Sequence, residues 1–288
     1  MQTHIAGTST GLTVCEVIDA YLTEHVAEKV VAKDRQQYGG QHVKDHLGQL
    51  HISQIDIPAC RRYVKARTQE EAAPSTIRRE LVILRAAANH GFNWKRIPAE
   101  HLPRIEMPEI GESEKVEWFT KDQIATMFRE CNSGRLACFI RIAYFTAARR
   151  NSIERLLKSQ IDIAGGRIHL WRPGERVTKK RRPTVPLYPE IRPAVDWLFA
   201  SSGTEYLFGK VTSYYRPFHK LCARLGFEGN PHMLRHSRAT HMLQDGESIW
   251  KVSKLLGDTV ATVERVYGHA SVDFLATASG VEGAGMGA

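Results

Sequence analysis

Along residues 12 to 26, "LTVCEVIDAYLTEHV", the apolar positions Leu12, Val14, Val17, Ile18, Tyr21 and Leu22 recur at intervals of three and four, the period of a helix with one buried face. A second helix is expected over "IDIPACRRYVKART" (55 to 68), where Asp56 and Pro58 stand near its start. A third, "PSTIRRELVILRAAANHG", stacks Ile77, Leu81, Leu84 and Ala88 and should close at Gly91. The chain up to about residue 102 therefore reads as all-helical.

The period then fails. Residues 98 to 117, "PAEHLPRIEMPEIGESEKVE", carry Pro98, Pro103 and Pro108 among many charges, the composition of a linker. Beyond it, Thr120 and Gln123 have capping-box spacing, and "RLACFIRIAYFTAA" (135 to 148) is apolar enough for a central buried helix. "QIDIAGGRIHLWRPGERVTKKRRPTVPL" (160 to 187) changes period again, with short β-prone runs around a Gly165-Gly166 turn and a basic loop, and predicts a small antiparallel sheet. Helices resume with "TSYYRPFHKLCARLG", "HMLRHSRATHMLQDG", "SIWKVSKLLG" and "TVERVYG", several ended by glycine. The expected architecture is mainly α with a small antiparallel β-sheet. It comprises a disordered start (1–11), a helical domain (12–102), a linker (103–117), a mixed α/β domain (118–280) and a flexible tail (281–288).

Composition narrows the class. A chain of 288 residues suits two domains. With 40 Lys+Arg against 31 Asp+Glu its formal charge is +9, which favours a polyanionic partner. The five cysteines (Cys15, Cys60, Cys131, Cys138, Cys222) are scattered without CxxC or Cys/His spacing, so neither a disulfide framework nor a zinc site is expected. "MQTHIAGTST" lacks the features of a signal peptide, and eighteen apolar residues never run together. A cytoplasmic protein that does not engage membranes is the expectation.

Four places could carry chemistry. Arg149 and Arg150 follow an apolar helix; taken alone they read as a solvated helix end favoured by the macrodipole. In "PHMLRHSRATHM" (231 to 242), His232 and Arg235 lie three apart on one helix face and could share a phosphate, the plainer reading being a basic surface or a core histidine. His232 and His236 have i,i+4 metal spacing, but neither an HExxH glutamate nor a third ligand accompanies them. "RVTKKRRPTVPL" (176 to 187) concentrates positive charge, usually a solvated face, although a hairpin lysine could track phosphates or protonate a leaving alkoxide. In "TVERVYGHAS" (262 to 271), Tyr267 read alone is a half-buried helical aromatic.

Taken in order, these elements run arginine, basic hairpin, His-x-x-Arg and tyrosine, with Arg235 and Tyr267 separated by 32 residues (267 minus 235). That order resembles the tyrosine recombinases, the phage integrase family, whose second arginine box reads like "HxLRHSxATHML" and whose end reads "LLGH…T…YxH". The resemblance implies a core-binding domain before the linker and a catalytic domain after it. Arg149 matches the first family arginine, in "TAAR" where "TGxR" is usual; His232 and Arg235 match the pair; Tyr267 matches the nucleophile, with His269 completing Tyr-x-His. Lys179 is the better match to the hairpin lysine, with Lys180 as the alternative. Two positions depart from the pattern: Asp258 stands where histidine or tryptophan is usual, and Ser152 where an acidic residue commonly follows the first arginine.

The resemblance implies metal-free, cofactor-free cutting and rejoining of double-stranded DNA through a covalent 3′-phosphotyrosine, by a homo-tetramer on two DNA sites, with a possible accessory directionality protein. Chemistry assigns the roles. Tyr267 attacks, and since a phenol of ordinary pKa near 10 is only about a thousandth ionised at neutral pH, a base must take its proton, for which His232 is the candidate. Arg149 and Arg235 would clamp the phosphate oxygens, and Lys179 would protonate the leaving 5′-oxygen. The alternatives are a type IB topoisomerase-like nicking and closing enzyme and a catalytically silent DNA-binding protein of the same fold.

Overall fold

The computed structural model of the chain describes residues 11–30, 33–109, 116–172, 174, 182–210 and 213–268, apart from the side chain of Lys29. They fall into two compact units divided between Ser113 and Glu114.

The first unit is helical. Thr13 caps α1 (Val14–Tyr21) in a capping box with Glu16, and the chain continues through a π-helical turn (Leu22–Val26) into α2 (Ala27–Lys29). Then come α3 (Lys33–Leu47), α4 (Ile57–Gln69) and α5 (Pro74–Asn93), with α1 and α3 packed on α5. Asp56 caps α4 as expected, its carboxylate accepting the Ala59 N–H at 2.7 Å. Gly91 does not close α5. It lies inside the helix, where a Cβ would come within 2.7 Å of the Ile97 side chain, so its role is to let the following chain pack close; the helix ends two residues later. Gly39 and Gly40 do the same in the middle of α3, against Ile83 and Ile18. A buried Arg67–Glu80 pair, bonded at 3.0 and 2.8 Å and joined by the Tyr63 hydroxyl, fixes α4 against α5. After α5, Ile105 and Met107 of the proline-rich stretch pack against this unit's core, and Glu106 pairs with Arg61.

The second unit has its own core. Thr120 and Gln123 form the expected capping box on α6 (Lys121–Glu130). The apolar run becomes α7 (Gly134–Thr146), its Phe139, Ile140 and Ile142 fully buried, followed by the short α8 (Arg150–Glu154). Strands β1 (Ile161–Asp162), β2 (Arg167–His169) and β3 (Thr184–Pro186) form an antiparallel sheet in that order. Its register pairs Ile161 with Ile168 and Ile168 with Val185, so these side chains share the core face while Arg167, His169 and Thr184 stay outside. Helices α9 (Arg192–Ser201), α10 (Tyr215–Arg224), α11 (His232–Gln244) and α12 (Ile249–Leu256) follow, and residues 260–268 form α13. Helix α7 packs on both α9 and α11. No described helix is long and apolar enough to cross a membrane.

Candidate active site

Three helix ends meet at one buried guanidinium. Helix α7 stops at Ala147, which takes a left-handed conformation (φ 49°, ψ 24°), and its carbonyl accepts a hydrogen bond from Arg235 Nη1 at 2.7 Å. Helix α12 stops at Gly257 (φ 66°), and the last-turn carbonyl of Leu256 accepts from Arg235 Nη2 at 3.1 Å. Helices end with unpaired carbonyls and a partial negative charge, so one arginine from the first turn of α11 satisfies two such ends at once. Burial and the nearby Arg149 charge pull Arg235 below its usual pKa, while Asp258 and Tyr267 act the other way.

The turn that closes α12 also delivers Asp258. Its N–H returns to the Ser253 carbonyl at 3.1 Å, the pattern of a glycine-terminated helix, which sets the next side chain beside the end of α7. One carboxylate oxygen accepts from Arg149 Nη2 at 2.8 Å and the other from Arg235 Nη2 at 2.5 Å. Arg149 is the extended residue that starts α8, and its side chain is partly exposed. The two family-like arginines thus share one anion, supplied by the residue that departs from the pattern.

Tyr267 on α13 is 4 % exposed. Its hydroxyl lies 2.7 Å from Nδ1 of His236, with ring centroids 5.7 Å apart. Burial, with a smaller push from Asp258, raises the phenol's pKa to about 12 against the pull of Arg235 and Arg149. His236 is driven down to about 4 by burial and by the positive surroundings of His232 and Arg235. At neutral pH the phenol is therefore protonated and donates, and the imidazole is neutral and accepts.

Of the residues expected to act, the structure brings Arg149, Arg235 and Tyr267 together. His232 is the exposed first residue of α11, its ring edge-on to His236 at 4.5 Å. Lys179, Lys180 and His269 lie outside the described residues, as do residues 1–10 and 269–288. Ser152 belongs to α8, where its N–H bonds to the Arg149 carbonyl at 2.8 Å. The residue that sequence reasoning passed over is His236, weighed only as a metal partner of His232. Its signals were its place one turn after His232 on the same helix face and its match to the histidine that follows the arginine in "HxLRHSxATHML". Among the described residues no group of three His, Cys, Asp or Glu could hold a metal.

Residues 117–273 match the model of the phage integrase family. The chain is 26 % identical over 281 residues to the integrase of Escherichia phage 186, covering 91 % of this chain and 79 % of that one. It is 25 % identical over 236 residues to the tyrosine recombinase XerC of Chlamydia trachomatis, covering 74 % and 72 %. Among solved structures, it resembles the Tn1549 transposon integrase in complex with transposon right-end DNA (TM-score 0.75, 16 % identity, 93 % and 98 % covered). It also resembles a lambda integrase dimer bound to a core site (TM-score 0.68, 14 % identity, 88 % and 77 % covered).

Proposed function

Because the chain belongs to the phage integrase family, we propose that it is a site-specific DNA recombinase that cuts and rejoins duplex DNA through a covalent 3′-phosphotyrosine on Tyr267. The observation that carries this reading is the placement of a buried, hydrogen-bonded tyrosine hydroxyl in a site with two arginines already gathered on one anion. A phosphodiester presents two nonbridging oxygens, as a carboxylate does, and charge-assisted bonds from two guanidiniums suit the charge that grows on them as phosphorus becomes five-coordinate. DNA phosphate would take the place now held by Asp258. Tyr267 attacks, a histidine of α11 takes its proton, and the hairpin lysine, Lys179, protonates the departing 5′-oxygen. Double-stranded DNA is the partner, with a homo-tetramer on two sites as the assembly in which strands exchange. An accessory protein setting direction fits the same scheme.

The test uses duplexes that the protein itself selects from a random-sequence pool, rebuilt as suicide substrates whose cleaved end cannot rejoin. The parent is expected to form a protease-sensitive covalent DNA adduct, and Tyr267→Phe to form none while still binding. Adduct from the Phe variant would move the nucleophile elsewhere, and no adduct from the parent on DNA it binds would favour a silent binding protein. Exchange between two duplexes, rather than relaxation of supercoils alone, separates a recombinase from a topoisomerase-like enzyme.

A further inference from the structure

Within the strand-transfer reading, on which this rests, we propose that Asp258 is an internal competitor for the scissile phosphate and thereby a specificity-determining residue. Its carboxylate holds Arg149 and Arg235 in the free protein and on non-cognate DNA, and it yields only to a phosphate delivered in register. Arg235 cannot retreat from such a contest. Its Nη1 and Nη2 bond to the carbonyls of Ala147 and Leu256 at two helix ends, so the guanidinium is fixed and any anion must come to it. Nη2 of Arg235 and Nη2 of Arg149 converge on the two oxygens of Asp258, at 2.5 and 2.8 Å. A carboxylate and a phosphodiester each offer two anionic oxygens to such donors, and charge-assisted bonds hold either. Both together would repel at this separation, so one anion displaces the other.

The carboxylate can leave without disturbing the fold. The Asp258 N–H is held by the Ser253 carbonyl, which fixes the backbone, while its side chain is about a quarter exposed and turns about its own bonds. Asp258 also precedes Thr259, whose hydroxyl caps α13 by accepting the Thr262 N–H at 3.2 Å. The positive end of that helix gives the displaced carboxylate a second favourable position. Discrimination between duplexes follows. Backbone phosphates are present in every sequence, and two arginines without a counterion would accept any of them. Closure by Asp258 lowers the fraction of protein competent to take phosphate, and the apparent affinity falls with it, by about 5- to 30-fold for an ion pair exposed to this degree. A duplex bound in register presents the correct phosphate at a high effective concentration and overcomes that factor; one bound out of register does not.

A titration and a cleavage assay on the full chain test this. Inorganic phosphate, followed by calorimetry, is expected to bind Asp258→Asn and Asp258→Ser about 5- to 30-fold more tightly than the parent, and the gain should vanish when Arg149→Ala is added. On a scrambled duplex of the same length as the selected one, both variants should form covalent adduct about tenfold faster than the parent, with a smaller gain on the selected duplex. Equal phosphate affinity in parent and variants overturns the proposal, leaving Asp258 a fixed counterion beside which phosphate binds. Slower cleavage of the selected duplex by variants that still bind it also overturns it, because Asp258 would then serve the reaction rather than block it. A gain as large on the selected duplex as on the scrambled one overturns it likewise, since the carboxylate would then not discriminate. If both variants fail to fold, carbon NMR of the parent's aspartate carboxylates decides. The Asp258 signal is expected to move on the selected duplex and to keep its position on the scrambled one; a signal that responds to neither, or alike to both, is contrary. A parent that forms no adduct on the selected duplex removes the strand-transfer reading, and the phosphate titration then decides on Asp258 by itself.

Discussion

Asp258 contributes to the DNA-free site in two ways with one physical origin. Its carboxylate neutralises two neighbouring guanidiniums that would otherwise repel, and in the function proposed above it stands where the DNA phosphate is to be received. Asp258→Asn is therefore expected to lower the melting temperature of the free protein and to enlarge the rise caused by DNA. Loss of a partner from a fully buried pair costs about 3 to 5 kcal/mol, but Asp258 and Arg149 are about a quarter exposed, so about 1 to 2 kcal/mol is expected here. Differential scanning of both forms checks this, and an unchanged free melting point or a smaller DNA-induced rise would contradict it. Sequence alone marked Asp258 as unusual but could not aim it. Its direction depends on Gly257 reversing the chain at the end of α12 and on Arg235 arriving from another helix.

Among elements, the end of α7 has the clearest unrelieved cost. The left-handed region disfavours an L-residue by about 1 to 2 kcal/mol, yet Ala147 adopts it because its carbonyl must meet Arg235. Glycine bears no such cost, which gives the family's usual "TGxR" a physical reason. Ala147→Gly is expected to stabilise the chain by up to about 1 kcal/mol, the strain relieved being partly offset by greater freedom when unfolded. Urea unfolding should show a higher midpoint at constant slope; a lower midpoint refutes the strain. Elements whose cause is local were legible: the Asp56 cap, the Thr120–Gln123 box and the Gly165-Gly166 turn depend on neighbours in the chain. Gly91 was misread as a helix stop because its reason to be glycine is Ile97, six residues beyond it and brought back by the fold.

At the scale of the molecule, the two units should respond differently to acid. His236 and His241 lie on α11, and burial is the first cause that drives each down to about 4, against an ordinary value near 6.5. A folded pKa below the unfolded one means the unfolded chain binds the extra proton first. The stability these neutral histidines provide is thus present above pH 6.5 and is lost as pH falls towards 4, by about 2 kcal/mol each at pH 5. In the first unit His46 has the opposite sign: burial works against the charged form, but bonds to the His42 carbonyl and the Glu70 carboxylate outweigh it and raise its pKa. Hydrogen exchange on the full chain at pH 7 and pH 5, corrected for intrinsic rates, is expected to show protection falling in α11 and not in α5. Equal loss in both units would count against the buried-histidine account.

Residue order by itself determined the two helical stretches, the small sheet, the basic balance and the succession of arginine, basic hairpin, His-x-x-Arg and tyrosine, because periodicity, caps and motifs act over a few positions. Tertiary structure alone decided that Asp258 bridges Arg149 and Arg235, and that His236 holds the Tyr267 hydroxyl. Those contacts join residues 23 to 109 positions apart. Their direction is set by helix ends and packing angles, which no local pattern in the chain encodes.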